Sequence, residues 1–187
     1  MIITEILARN ARLYRDEEAL VEREPAKNLR RAITWKEFDD LANKVANALM
    51  AKGVKKGDKV IHLMMNCLEW LPAYFGILKT GAWAVPLNFR FTADDIRYCA
   101  DIAEARAIVF GEDFIERVDK VKKDLKGMKD FVFCGPREMM PPYAQHWDDF
   151  LKGASTTEPI TPISLLDEAA LYFTSGTTGQ PKPILLT

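Results

Sequence analysis

The sequence predicts an α/β fold, a largely parallel sheet flanked by helices. Between Lys59 and Phe133, short apolar or β-branched runs alternate with helical segments, an order best satisfied by a parallel sheet between helix layers. Composition agrees: 48% of the 187 residues are hydrophobic, with ten Gly and ten Pro, which excludes disordered, collagenous and low-complexity classes. That length predicts one compact unit, or one and a fragment of another. Lys and Arg total 26 against 27 Asp and Glu, so a net charge of −1 offers no field to attract nucleic acid or an anionic membrane.

The first clear helix starts at Thr34. Thr34 and Glu37 have the spacing of a capping box, and Trp35, Phe38, Leu41, Val45 and Leu49 form one apolar stripe that ends near Gly53. Trp35 and Phe38 are expected in the core. A second helix follows Asn66, with Glu69 three residues on, and is apolar almost all round until Gly81, so it must be buried. Pro72 requires that the regular helix start near Glu69 or that its first turns be kinked. A third begins at Thr92 and carries Ile96, Cys99 and Ile102. A fourth, over 112–126, interleaves acids and bases and reads as a solvated face. Strands are expected at Ala19–Val21, Lys59–Met65, Ala82–Val85, Ala107–Phe110 and Phe131–Phe133. The segments 135–145 and 153–162 read as an irregular loop and an extended connector. A boundary near Thr161 then separates an N-terminal α/β subdomain, 1–161, from the start of the next, 162–187.

Cys67, Cys99 and Cys134 lie more than thirty residues apart and only two histidines are present, so neither a disulfide framework nor a zinc site is indicated. All three cysteines read as packing residues with apolar neighbours. The N-terminus is charged at Glu5 and Arg9, and no long apolar stretch occurs, so a cytoplasmic, reducing setting without a membrane span is expected.

The chemistry is concentrated after the strand-like run Ala169–Phe173. Thr174-Ser175-Gly176-Thr177-Thr178-Gly179-Gln180-Pro181-Lys182 places four hydroxyls, two glycines and one lysine in nine positions. Glycines permit positive φ, so backbone N–H groups can converge on one point, hydroxyls add donors, and the lysine supplies a full charge. A lysine ammonium about 4 Å from a phosphate oxygen in a partly screened site is attracted by on the order of 4 kcal/mol before desolvation. A Walker loop requires Gly before its lysine and Ser or Thr after it, whereas Lys182 lies between Pro181 and Pro183. A nucleophile elbow requires Gly two positions either side of its serine, whereas Ser175 has Phe173 and Thr177. A flexible Ser/Thr/Gly connector would not place Pro-Lys after such a run, so polyphosphate binding is the preferred reading.

Tyr172 to Lys182 resembles the phosphate-binding loop of the adenylate-forming, AMP-binding superfamily. Two upstream landmarks occur in the family's order: Ile33 to Phe38 resembles its Thr-Tyr-x-Glu-Leu helix start, and Ile77 to Leu87 resembles its Leu-Lys-Ala-Gly-x-x-x-Val-Pro-Leu segment. Pro86-Leu87-Asn88-Phe89-Arg90 is similar to the Pro-Leu-Asn-x-Arg of acyl- and aryl-coenzyme A ligases, so the likeness leans toward an acyl-CoA synthetase or fatty-acid–CoA ligase. It implies the N-terminal part of that family's large domain.

The resemblance implies that ATP with Mg²⁺ and a carboxylate give an acyl adenylate and pyrophosphate, after which CoA displaces AMP to form a thioester. It assigns the ATP phosphates to Thr174, Ser175, Gly176, Thr177, Thr178, Gly179 and Lys182, and assigns no confident catalytic or metal-binding residue within these positions. Donors around the β- and γ-phosphates would stabilise charge on departing pyrophosphate. The family usually has Gly where Pro183 stands, which would stiffen the loop. The family's adenine-stacking segment, Thr-Glu element, ribose-binding aspartate and C-terminal lysine all lie downstream of such a loop. The expectation is therefore an N-terminal fragment, inactive alone, that associates through exposed apolar surface or with the remaining C-terminal part. A natural short binding module and a chain cut in two remain as alternatives. Fatty, aryl and short-chain acids all stay open as substrates.

Overall fold

A computed structural model describes residues 1–174 and 179–187. Helix α1 (Ile3–Leu13) leads into an antiparallel hairpin of β1 (Glu18–Glu24) and β2 (Leu29–Thr34), which turns through a short 3₁₀ segment and Asn28 at φ 50°. Neither α1 nor β2 is foreseen in the sequence. Helix α2 (Trp35–Ala51) has the expected cap: Thr34 Oγ1 accepts from the Glu37 N–H at 3.2 Å, and the Glu37 carboxylate accepts from the Thr34 N–H at 2.8 Å. Phe38 is buried and Trp35 half-buried.

The sheet begins with β3 (Lys59–Leu63), followed by α3 (Trp70–Lys79), β4 (Trp83–Pro86), α4 (Ala93–Ala103), β5 (Ala107–Gly111), α5 (Ile115–Val121) and β6 (Asp130–Cys134). This alternation is the expected one, with three corrections. Asn66 does not cap α3. The chain turns through 66–69 first, and the Glu69 carboxylate instead accepts from Arg31 at 2.9 and 3.1 Å. Pro72 is therefore the third helical residue, where no intrahelical acceptor awaits its absent N–H and no kink is needed. On α4, Ile96 and Cys99 are buried, but Ile102 is 46% exposed because it lies at the flank of the face formed by Ile96, Cys99, Ala100 and Ala103. The mixed-charge helix is shorter than 112–126, being a 3₁₀ turn followed by α5.

Beyond β6, the loop contains a 3₁₀ turn and β7 (Gln145–His146), then α6 (Trp147–Leu151), capped by His146 Nδ1 accepting from the Asp148 N–H. The connector leads to β8 (Ala170–Thr174) and β9 (Lys182–Leu186). The larger sheet has seven strands in the order β7-β6-β5-β3-β4-β8-β9, parallel throughout except for the β8–β9 pair.

Both faces of this sheet are covered, so its central strands are mostly apolar, His62 of β3 being a buried exception. Ile61, Leu63, Ile108 and Phe110 pack toward α4 and α5, while Val60, Ala107 and Val109 pack toward α2, α3 and α6. Helices α2 and α3 approach so closely that a Cβ on Gly76 would stand 2.4 Å from Val45. Outside them, Leu7, Phe38 and Ala42 join α1 and the hairpin to the rest.

Candidate phosphate-binding site

Strand β8 runs parallel to β4, so its Thr174 end emerges at the carboxyl edge of the parallel strands, the side on which ligands bind in open α/β sheets. Antiparallel β9 returns from there, and the last register pair is Thr174 with Lys182. Two of the residues expected on phosphate thus face each other where β8 and β9 meet the intervening segment, both exposed. Gly179 has φ +91°, a conformation that L side chains rarely adopt, and Pro181 is buried as an anchor. Ser175, Gly176, Thr177 and Thr178 lie outside the described residues. Pro183 is opposite Phe173 in β9, the outermost strand, where proline is tolerated, and it holds Lys182 extended.

The loop stands on a braced strand. Leu171 and Phe173 are buried toward α4, and on the other side the Tyr172 hydroxyl meets that of Tyr74 on α3 at 3.2 Å. Burial, then this contact, raises the Tyr74 pKa, so its phenol stays protonated. Tyr74 also stacks at 5.4 Å on Trp70, which in turn meets the edge of buried His62 at 4.4 Å.

The connector before β8 is clamped along its length. The Asn47 side chain donates to the Ser155 and Thr157 carbonyls at 2.9 Å each, and Asn43 donates to that of Thr156 at 3.0 Å. Lys79, 3% exposed, donates to Asp39 at 2.8 Å and Glu158 at 3.1 Å. Lys56 reaches the Pro162 carbonyl and the Asp167 carboxylate at 2.8 and 2.5 Å. This ion pair is the leading reason that the Asp167 pKa is lowered. The one sequence signal for these contacts was Lys79 itself, a cation inside an apolar helix.

At the same edge, β4 continues into Leu87-Asn88-Phe89-Arg90. The Leu87 N–H donates to the His62 carbonyl at 3.0 Å, and the Asn88 side chain accepts from the Arg90 N–H at 2.9 Å. Arg117 donates to the Phe89 and Phe91 carbonyls at 2.5 and 3.0 Å and lies over the Phe114 ring. That role corrects the reading of its helix as merely solvated. No cluster of three or more metal-ligating side chains occurs among the described residues, and none of their helices is long and apolar enough to cross a membrane.

Residues 7–187 match the AMP-binding enzyme family. The 3-hydroxybenzoate/4-hydroxybenzoate–CoA ligase of Thauera aromatica is 34% identical over 155 residues, 83% of this chain and 29% of that protein. The crotonobetaine/carnitine–CoA ligase of Proteus mirabilis is 32% identical over 181 residues, 95% of this chain and 35% of that protein. An anthranilate CoA ligase solved with anthranoyl-AMP superposes with a TM-score of 0.88 at 28% identity, covering 97% of this chain and 34% of that one. The inhibitor-bound N-terminal domain of FACL13 from Mycobacterium tuberculosis gives 0.84 at 28%, covering 99% and 44%. The chain thus spans about a third of the length of the curated relatives it matches. With the landmarks, the parallel sheet and the braced β8–β9 hairpin in place, this chain belongs to the AMP-binding enzyme family and resembles the N-terminal part of its acyl-CoA ligases.

Proposed function

We propose that the chain supplies the phosphate-holding wall of the ATP site in an ATP-dependent acid–thiol ligase of the acyl-CoA synthetase type. One observation carries this reading: Thr174 and Lys182 pair across the mouth of the Ser/Thr/Gly loop, exposed at the carboxyl edge of the sheet. Hydroxyls and backbone N–H groups of Thr174, Ser175, Gly176, Thr177, Thr178 and Gly179 would hold the β- and γ-phosphates, and Lys182 would neutralise them. Charge builds on pyrophosphate as a carboxylate attacks the α-phosphorus, so these donors act most strongly in the transition state. Mg²⁺ would accompany ATP, and CoA would be the acceptor. Small-molecule substrates and a cytoplasmic setting belong to the same reading.

The reading divides the chain at residue 161, with 1–161 as an N-terminal α/β unit and 162–187 as the start of the next subdomain. A seam there is supported by the single register pair, Ala84 with Ala170, that joins β8 to β4. Ile184, Leu185 and Leu186, each close to half exposed, form an apolar edge suited to the remaining part of such an enzyme. The test is carboxylate-dependent ATP–pyrophosphate exchange with benzoate, crotonate and palmitate. The 187-residue chain alone is expected to give none, and exchange above the blank would overturn its assignment as one wall of the site.

A further inference from the structure

A cavity of 680 Å³ opens at the carboxyl ends of β3, β5 and β6 under the β1–β2 hairpin, away from the β8–β9 loop. Cys67, in the turn between β3 and α3, and Cys134, the last residue of β6, both line it. Strand β5 lies between their two strands and ends in Gly111, in register with Cys134. A Cβ at Gly111 would stand 3.7 Å from the Met64 Cα and 3.8 Å from the Cys134 carbonyl. Met64 thus lies beside the end of β5, and the turn that follows it brings Cys67 into the cavity that Cys134 also lines. Both thiols are half-buried and pack against the same core cluster, that of Val60, Val109 and Val132.

We propose that Cys67 and Cys134 form a redox-modification site, a dithiol that a peroxide converts into a disulfide bridging the turn after β3 to the end of β6. The Cys134 pKa is strongly raised, first by its interaction with the Cys67 side chain and then by burial, and the proposed sequence gives the first attack to Cys67. The Cys67 thiolate takes the terminal oxygen of hydrogen peroxide. The O–O bond breaks, one water leaves after protonation, and Cys67 becomes a sulfenic acid. The Cys134 sulfur then attacks the Cys67 sulfur, the S–O bond breaks, the Cys134 proton goes to the departing hydroxide, and a second water leaves. Two thiols are oxidised and one peroxide is reduced. Cys99 takes no part: it is fully buried, and burial pushes its thiol up to about 12.

The reduced 187-residue chain is treated with hydrogen peroxide, blocked with N-ethylmaleimide, and mapped by mass spectrometry without reductant. The expected product has one blockable thiol instead of three. Its unblocked mass falls by about 2 Da, one cross-linked peptide joins Cys67 to Cys134, and dithiothreitol restores all thiols. Cys99→Ser should leave the cross-link intact, whereas Cys67→Ser and Cys134→Ser should each abolish it. Oxidation of Cys67 to sulfinic acid without linkage, a bond involving Cys99 or a second chain, or three unreacted thiols would each overturn the proposal. The wild-type map decides the matter even if a variant fails to fold.

Discussion

The Tyr74 and Tyr172 hydroxyls meet at 3.2 Å, joining the middle of α3 to the strand that leads into the Ser/Thr/Gly loop. The bond sits in a part-buried position, so losing it should cost about 0.5–1.5 kcal/mol. Tyr74→Phe and Tyr172→Phe should each lower the unfolding free energy from urea titration by that amount, and the double variant should cost less than the sum. Strict additivity would show that the two hydroxyls do not act as a pair.

Lys79 is the buried cation of the connector clamp, with Asp39 beneath it and half-exposed Glu158 above. Lys79→Ala strands the Asp39 carboxylate in a mostly buried position, so the loss should be about 3–5 kcal/mol. Glu158→Gln removes only a solvent-screened partner and should cost at most about 1 kcal/mol. Equal effects in denaturant titrations would contradict this ranking.

His62 fixes a pH dependence. Burial against Trp70 and Tyr74 pushes its pKa from the ordinary 6.5 down to about 3, and no well-aligned hydrogen bond from the described residues reaches either ring nitrogen. The folded chain thus keeps His62 neutral where the unfolded chain would protonate it. Its contribution is complete above about pH 6.5 and is lost as pH falls toward 3, at about 1.4 kcal/mol per unit. Unfolding free energies of wild type and His62→Leu between pH 7 and 4 should therefore diverge in slope, wild type being steeper. Parallel lines would mean that His62 is charged or solvated in the folded state.

The local devices of the fold were legible where residue type alone decides geometry. Thr34 with Glu37 caps its helix as spacing demands, α4 begins at Thr92 as expected, and the apolar runs at Lys59, Ala107 and Phe131 became parallel strands because both sheet faces are covered. Short polar elements escaped: β2 is exposed over half its length and carries no alternation, and α6 has too few residues for a helical period. Of the candidate site, sequence located the loop but not its supports. Asn43 and Asn47 sit more than a hundred positions from the carbonyls that they hold, and nothing local in Tyr74 points to Tyr172. Cys67 and Cys134 read as separate packing residues because they lie far apart in the sequence and only the fold brings them to one cavity.

The central claim is that the segment from Thr174 to Lys182 holds ATP phosphates. Backbone amide NMR of the ¹⁵N-labelled 187-residue chain, titrated with MgATP, Mg-tripolyphosphate and adenosine, tests it most directly. The account predicts saturable shifts in the amides between Thr174 and Gln180 and at Lys182, shared by ATP and tripolyphosphate, absent with adenosine, and lost in Lys182→Ala. Shifts centred elsewhere, shifts produced equally by adenosine, or no saturable response from that segment would contradict it.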